Sequence, residues 1–204
     1  AIKNGMTNSE IIAFNFRFPD EEPTDPGKEP DEPAGNAVVT LKENAAQIKY
    51  LAAPSSYIRP NDPASRYEVV DMLAKLFDIA GVTAGNRFAD VSENHKSTVE
   101  LFAAAGIING YEDGTFRPYK TISRQEAAAM LDRLYQVLGG KTDVVSEKAF
   151  ADDAKIGDWA RDSVYAMRQT GIMQGKENNR FCPTDGYTAE QSIVTIERMY
   201  QIIK

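Results

Sequence analysis

The sequence predicts a mainly α-helical protein built from three related helical units, with a strand segment and an acidic, proline-bearing linker ahead of them. Two observations point to this. A segment pattern recurs at offsets of 58 and 65 residues, and each copy has a helix-capping signature followed by apolar residues at helical spacing. A third observation bounds the class: 42% of the 204 residues are apolar, and no apolar run approaches the ~18 residues that a membrane-spanning helix needs.

Near the N-terminus, Ile12, Phe14, Phe16 and Phe18 alternate with Ala13, Asn15 and Arg17, the period of a half-buried strand that needs a partner. Residues 1–18 are read as this strand segment and residues 19–36 as a linker. Pro19 to Pro33 holds seven acids, one lysine and five of the ten prolines, so it contributes −6 of the net charge of −7. Proline removes backbone donors and like charges repel, so an extended spacer is expected. The remaining chain is nearly neutral at −1. The opening AIKNGMTNSE lacks a charged region followed by an apolar one, so a secretory signal is expected to be absent from this chain.

From residue 37 the chain divides into units at 37–83, 84–145 and 146–204. The offset of 65 places Gly106 on Gly171, Gly110 on Gly175, Phe116 on Phe181, Pro118 on Pro183, Arg133 on Arg198 and Tyr135 on Tyr200. The offset of 58 places Arg59-Pro60 on Arg117-Pro118, Ser65-Arg66 on Ser123-Arg124, Glu68 on Glu126 and Met72-Leu73 on Met130-Leu131. The first unit departs upstream: Leu41 to Tyr57 reads as helical but lacks the Gly-Ile-Ile-x-Gly turn found at Gly106 to Gly110.

Each complete unit reads as helix, glycine turn, loop and second helix. In the second unit Val99, Phe102 and Ala103 form a stripe that stops at Gly106, a C-cap glycine with φ above zero. Pro118 bars a helix until Ile122. Ser65-x-x-Glu68, Ser123-x-x-Glu126 and Thr188-x-x-Gln191 are capping boxes in register. Behind them Val70, Leu73, Phe77 and Ala80 match Ala128, Leu131, Tyr135 and Leu138, and match Ile193, Ile196, Tyr200 and Ile203. Each set lies on one helical face and needs an apolar partner. The three equivalent helices can supply it to one another, which predicts a three-helix centre with the other helices packed around it.

Several functions are excluded on composition. One Cys (Cys182, in the place of Arg117) and one His (His95) furnish neither a zinc site nor an internal disulfide. A Ser-His-Asp centre would have to use His95 with Ser97 as nucleophile and no supporting set around it, so no enzyme is expected. NGYEDGTFRPYK fails as a calcium loop, because counting from Asn109 puts Lys120 where a bidentate Glu is required. Neither metal nor cofactor is therefore expected. Lys and Arg are dispersed without a basic run, which argues against nucleic acid.

Phe88-Ala89-Asp90-Val91, then GIINGYEDGTFRP, then Ile122-Ser123-Arg124-Gln125-Glu126 resemble the S-layer homology (SLH) domain, whose pattern runs F-x-D-V, W-A, G-I-I-x-G-Y-x-D-G-T-F-x-P and I-T-R-A-E. The third unit supplies Phe150-Ala151-Asp152, Asp158-Trp159-Ala160, Gly171 to Gly175 and Phe181-Cys182-Pro183. The resemblance covers about residues 41 to 204, closely in the second unit and partially in the first. It implies a pseudo-threefold SLH trimer around a central three-helix bundle, located outside the cell on a bacterial cell wall. Such a module anchors proteins by binding secondary cell-wall polysaccharide, often acidic through pyruvate ketals, in grooves between units.

The resemblance also implies ligand-binding positions: Arg66 and Arg124 with the caps Ser65 and Ser123, and Asp90, Gly110, Tyr111 and Trp159. A residue just after an N-cap sits where unpaired backbone N–H groups and the helix dipole favour an anion, and a guanidinium there suits a carboxylate. Other uses stay open. The arginines could pair with Asp62 or Glu126, Asp90 and Asp152 could cap helices, and Trp159 could be core. Glycine at 110 is most simply a backbone requirement. In the third unit Ala189 and Gln191 replace the arginine and the capping acid, so at most two competent grooves are expected. The alternative function is a degenerate helical repeat making protein contacts, with other surface-layer proteins or in self-assembly, without glycan binding.

Overall fold

The computed structural model describes residues 37–43, 45, 61–142 and 149–204. The expected strand at Ile12 to Phe18, the acidic linker, Arg59-Pro60 and most of the helical segment between Leu41 and Tyr57 lie outside the described residues. Among the described residues the chain is mainly helical. Strand β1 (Val38–Leu41) is followed by helix α1 (Arg66–Leu76), strand β2 (Phe77–Ala80), and helices α2 (Glu93–Ala104), α3 (Arg124–Val137), α4 (Asp158–Gln169) and α5 (Ala189–Ile203). No helix among them is long and apolar enough to cross a membrane.

Helices α1 and α3 begin in complete capping boxes. The Ser65 and Ser123 hydroxyls accept from the N–H of Glu68 and Glu126, and those carboxylates accept in return from the cap N–H groups, both at 2.7 Å. The third box forms by half. Thr188 accepts from the Gln191 N–H at 3.3 Å, but the Gln191 side-chain oxygen accepts from Arg124 Nη1 at 3.0 Å instead of reaching back to its own cap. At the other end of α2, Gly106 adopts φ 74° as expected, donating to Ala103 O while Ile107 donates to Phe102 O, which satisfies the last carbonyls.

One element departs from the sequence reading. The helical run expected to continue through Ala80 stops at Leu76, and Phe77 turns extended (φ −118°, ψ 138°). Phe77–Ala80 pairs antiparallel with Val38–Leu41, in the register Val38 with Ala80 and Leu41 with Phe77. Val38, Val39 and Thr40 are β-branched, and alternation puts Val39 and Phe77 inside. Phe77 is thus buried as its helical spacing demanded, but from a strand.

The residues just before the three caps meet. Ala64 N–H donates to Tyr187 O at 2.8 Å, Tyr187 N–H to Ile122 O at 2.9 Å, and Ile122 N–H to Ala64 O at 3.0 Å. All three are fully buried, so each of these backbone groups must find a partner, and the closed ring provides it. Outside this ring, successive units interlock: α1 packs on α2, and α3 packs on α4. Gln125 Oε1 accepts from Gly157 N–H at 3.0 Å, and Ser163 Oγ donates to Asp132 at 2.8 Å. Equivalent needs are met by different chemistry. The Phe88 N–H donates to the buried Glu100 carboxylate, whereas the Phe150 N–H donates to the Tyr165 hydroxyl.

Candidate functional site

Two junctions are built alike. At the first, Arg66 leaves the start of α1 and enters the turn of the second unit. Its Nε donates to Phe116 O and its Nη2 to Asn109 O, both at 2.8 Å. At the second, Arg124 does the same one unit on, with Nε to Phe181 O at 2.8 Å and Nη2 to Gln174 O at 2.9 Å. Each guanidinium also lies against the Phe whose carbonyl it holds, 4.7 Å from the Phe116 centroid and 4.9 Å from Phe181. Only 3% of Arg66 and 4% of Arg124 is exposed.

The expectation that helix N-termini offer unpaired N–H groups to an anion is overturned. Arg66 N–H donates to Lys120 O, Tyr67 N–H to Pro118 O, Arg124 N–H to Asp185 O, Gln125 N–H to Pro183 O and Ala189 N–H to Asp62 O. The third N–H of each helix goes to its own cap side chain. The neighbouring turn therefore spends these donors on carbonyls, and an anion at either junction has to be held by side chains.

Around Arg66 the electrostatics are closed internally. Glu126 Oε1 lies 3.7 Å from Arg66 Nη1, 3.9 Å from Lys120 Nζ, and accepts the Tyr111 hydroxyl at 2.6 Å. Burial alone would raise the Glu126 pKa, but the Arg66 charge, the Tyr111 and Ser123 hydrogen bonds and Lys120 together hold it below its ordinary value. Burial and the Glu126 charge push the Tyr111 phenol far up, so it stays a donor. The Tyr111 ring is itself sandwiched by cations, with Arg66, Arg117 and Lys120 at 4.8, 4.3 and 4.7 Å from its centroid.

Each remaining predicted position has a definite place. Ser65 and Ser123 act as caps. Asp90 is not a cap: its two carboxylate oxygens accept from Phe116 N–H at 2.9 Å and Arg117 N–H at 2.7 Å. Asp152 repeats this on Phe181 and Cys182. Arg117 and Cys182 both have left-handed backbone, φ 54° and 57°, which turns successive N–H groups toward one carboxylate. Gly110 answers to packing: a Cβ there would come within 2.4 Å of the Phe88 ring. Trp159, half-buried on α4, lines a cavity of about 10 Å³ with Arg66, Asn109, Glu126, Met130 and Arg133.

Sequence reasoning named Arg124 but missed, as site residues, those that accompany it at the second junction. Arg124, Met173, Gln174, Gln191, Thr195 and Arg198 line a hollow of about 290 Å³. They correspond one for one to Arg66, Ile108, Asn109, Glu126, Met130 and Arg133 of the first. The same two offsets that revealed the repeat would have found them. Among the described residues no cluster of His, Cys, Asp and Glu could hold a metal ion.

Helical segments interlocked by arginines, with hollows at corresponding positions of their junctions, make up the described part of the chain. The S-layer homology domain pattern matches this chain at two segments, residues 87–128 and 149–186. The chain is 33% identical to the amylopullulanase of Thermoanaerobacterium thermosulfurigenes over 67% of its length but only 8% of that protein. It is 25% identical to the cellulosome-anchoring protein of Acetivibrio thermocellus over 71% of this chain and 34% of that one. With the surface-layer 125 kDa protein of Lysinibacillus sphaericus it shares 31% identity over 56% of this chain and 9% of the relative.

Proposed function

We propose that this chain is a non-catalytic anchoring module, acting outside the cell on a bacterial cell wall and binding an acidic secondary cell-wall polysaccharide in grooves between its units. The observation that carries the reading is the pair of matched junctions, each with a buried arginine, in a chain whose residues 87–128 and 149–186 match the S-layer homology domain. Arg66 and Arg124 supply the positive charge, and Trp159 offers an apolar ring to a sugar face. The caps Ser65 and Ser123, with Asp90, Gly110 and Tyr111, shape the turns around them. Likeness to a surface-layer protein and to a cellulosome-anchoring protein supports the location and the anchoring role.

The same reading takes the chain as three SLH units, 37–83, 84–145 and 146–204, in pseudo-threefold order around a central three-helix bundle. The closed hydrogen-bond ring of Ala64, Ile122 and Tyr187 supports it.

The test is co-sedimentation with purified cell-wall sacculi, before and after removal of the secondary polymer. Retention on intact sacculi and loss after removal is the expected result; equal sedimentation in both overturns glycan recognition. One observation favours the second reading, a repeat used for protein contacts: both guanidinium groups already donate to internal carbonyls. Equal sedimentation would promote it.

A further inference from the structure

We infer that the groove at Arg124, rather than the one at Arg66, receives the ligand, and that Gln191 makes this groove select an anion; the inference rests on the glycan reading above. The two junctions differ at several corresponding positions, among them these four. Tyr111, Arg117, Lys120 and Glu126 of the first become Lys176, Cys182, Asp185 and Gln191 of the second.

At the first junction the protein occupies its own anion position. Glu126 sits against Arg66 and takes the Tyr111 hydroxyl, while the Tyr111 ring fills the space beneath three cations. What is left, about 10 Å³ beside Trp159, is room for about one water.

At the second junction neither the ring nor the carboxylate is present. Gln174, Gly175 and Lys176 are exposed where Asn109 and Gly110 are half-buried and Tyr111 is buried. The hollow of about 290 Å³ is close to the range of small-molecule sites, and a second of about 350 Å³ adjoins it across Gln174, Gly175 and Lys176, walled by Phe150, Arg168 and Asn179. Together they suit more than one sugar.

The charge differs as well. Arg124 is 4% exposed and its three hydrogen-bond acceptors, Phe181 O, Gln174 O and Gln191 Oε1, are all uncharged. Asp185 and Asp152 act on Arg124 electrostatically, but neither is among its hydrogen-bond partners, so a ligand carboxylate in direct contact gains here the attraction that Glu126 supplies to Arg66 internally. Arg198 and Lys176 line the same hollow and Arg168 its neighbour, against one acid, Glu190; Lys176 reaches Asp185 at 2.5 Å on the rim. The ligand class is an oligosaccharide of two or more sugars that carries carboxylates.

Q191E is the decisive variant, because it gives Arg124 a carboxylate of its own. Affinity is measured for the secondary polymer with its acidic ketals intact and after mild-acid removal. The wild-type chain should prefer the acidic form by about tenfold or more, and Q191E should lose about tenfold on that form alone. Q191E should also melt higher than wild type, which separates lost affinity from lost fold. Hydrogen exchange then locates the polymer: protection should appear at Gln174 to Lys176 and not at Asn109 to Tyr111. Wild-type binding with Q191E unchanged, equal binding of both polymer forms, or protection at Asn109 to Tyr111 overturns this inference and leaves the glycan reading standing. Failure of the wild-type chain to bind either form overturns both.

Discussion

The turns of the second and third units follow one backbone plan and fill it with different side chains. In both, an aspartate accepts two successive N–H groups, a residue with left-handed backbone precedes proline, a glycine lies under a phenylalanine ring, and an arginine from the preceding unit holds two carbonyls. Around this frame the second unit has Tyr111 and Glu126 and the third has Lys176 and Gln191. The frame meets needs of the backbone, which are the same wherever the turn is used. The positions around it answer only to what fills the groove, so they are where the junctions diverge.

The largest expected effect that probes this comparison is removal of the two arginines. Arg66→Ala takes a donor from two carbonyls and the nearest cation from the buried Glu126 carboxylate, and should cost about 3–5 kcal/mol in urea unfolding. Arg124→Ala leaves only uncharged acceptors and should cost about 1.5–3 kcal/mol. Equal losses would mean that Glu126 does not distinguish the junctions.

The glycines come next. A Cβ at Gly110 would approach the Phe88 ring to 2.4 Å, and one at Gly175 the Phe150 ring to 2.8 Å. Gly110→Ala and Gly175→Ala should each cost about 1–3 kcal/mol, the former more, by the same unfolding measurement. A reversed order would show that the third turn is as tightly closed as the second.

The smallest effect is in acid. The Glu126 pKa is held below its ordinary value of 4.5 in the folded state, so its contribution is complete above that pH and is lost as pH falls through the folded value. Melting temperature followed from about pH 6 to about pH 3 should fall less steeply for E126Q than for wild type. Identical slopes would remove Glu126 from the account of the first junction.

Much of the helical part was legible because caps and periodicity are local. Ser65 with Glu68 and Ser123 with Glu126 act within one turn of chain, and Gly106 ends α2 by its own φ. Strand β2 was not, because Phe77 and Ala80 fit a helical face equally well until Val38–Leu41 arrives as a partner from 36 to 42 residues away. At the site, the importance of Arg66 and Arg124 was legible from the repeat, but their engagement was not. The carbonyls they hold lie 43 to 57 residues on, and nothing in the local sequence marks a carbonyl as needing a donor. Gln191 reads as a weakened cap and acts as the side-chain acceptor for Arg124.

The ring formed by Ala64, Ile122 and Tyr187 bears on how such a chain could be shortened or lengthened. Each N–H in it is answered by the carbonyl of a different segment, so no two of the three segments can satisfy one another. An open stack of units could lose or gain a copy at its end with little disturbance to the rest. In a closed circuit of three donors and three acceptors, removing any one segment leaves a donor and an acceptor of the other two unanswered.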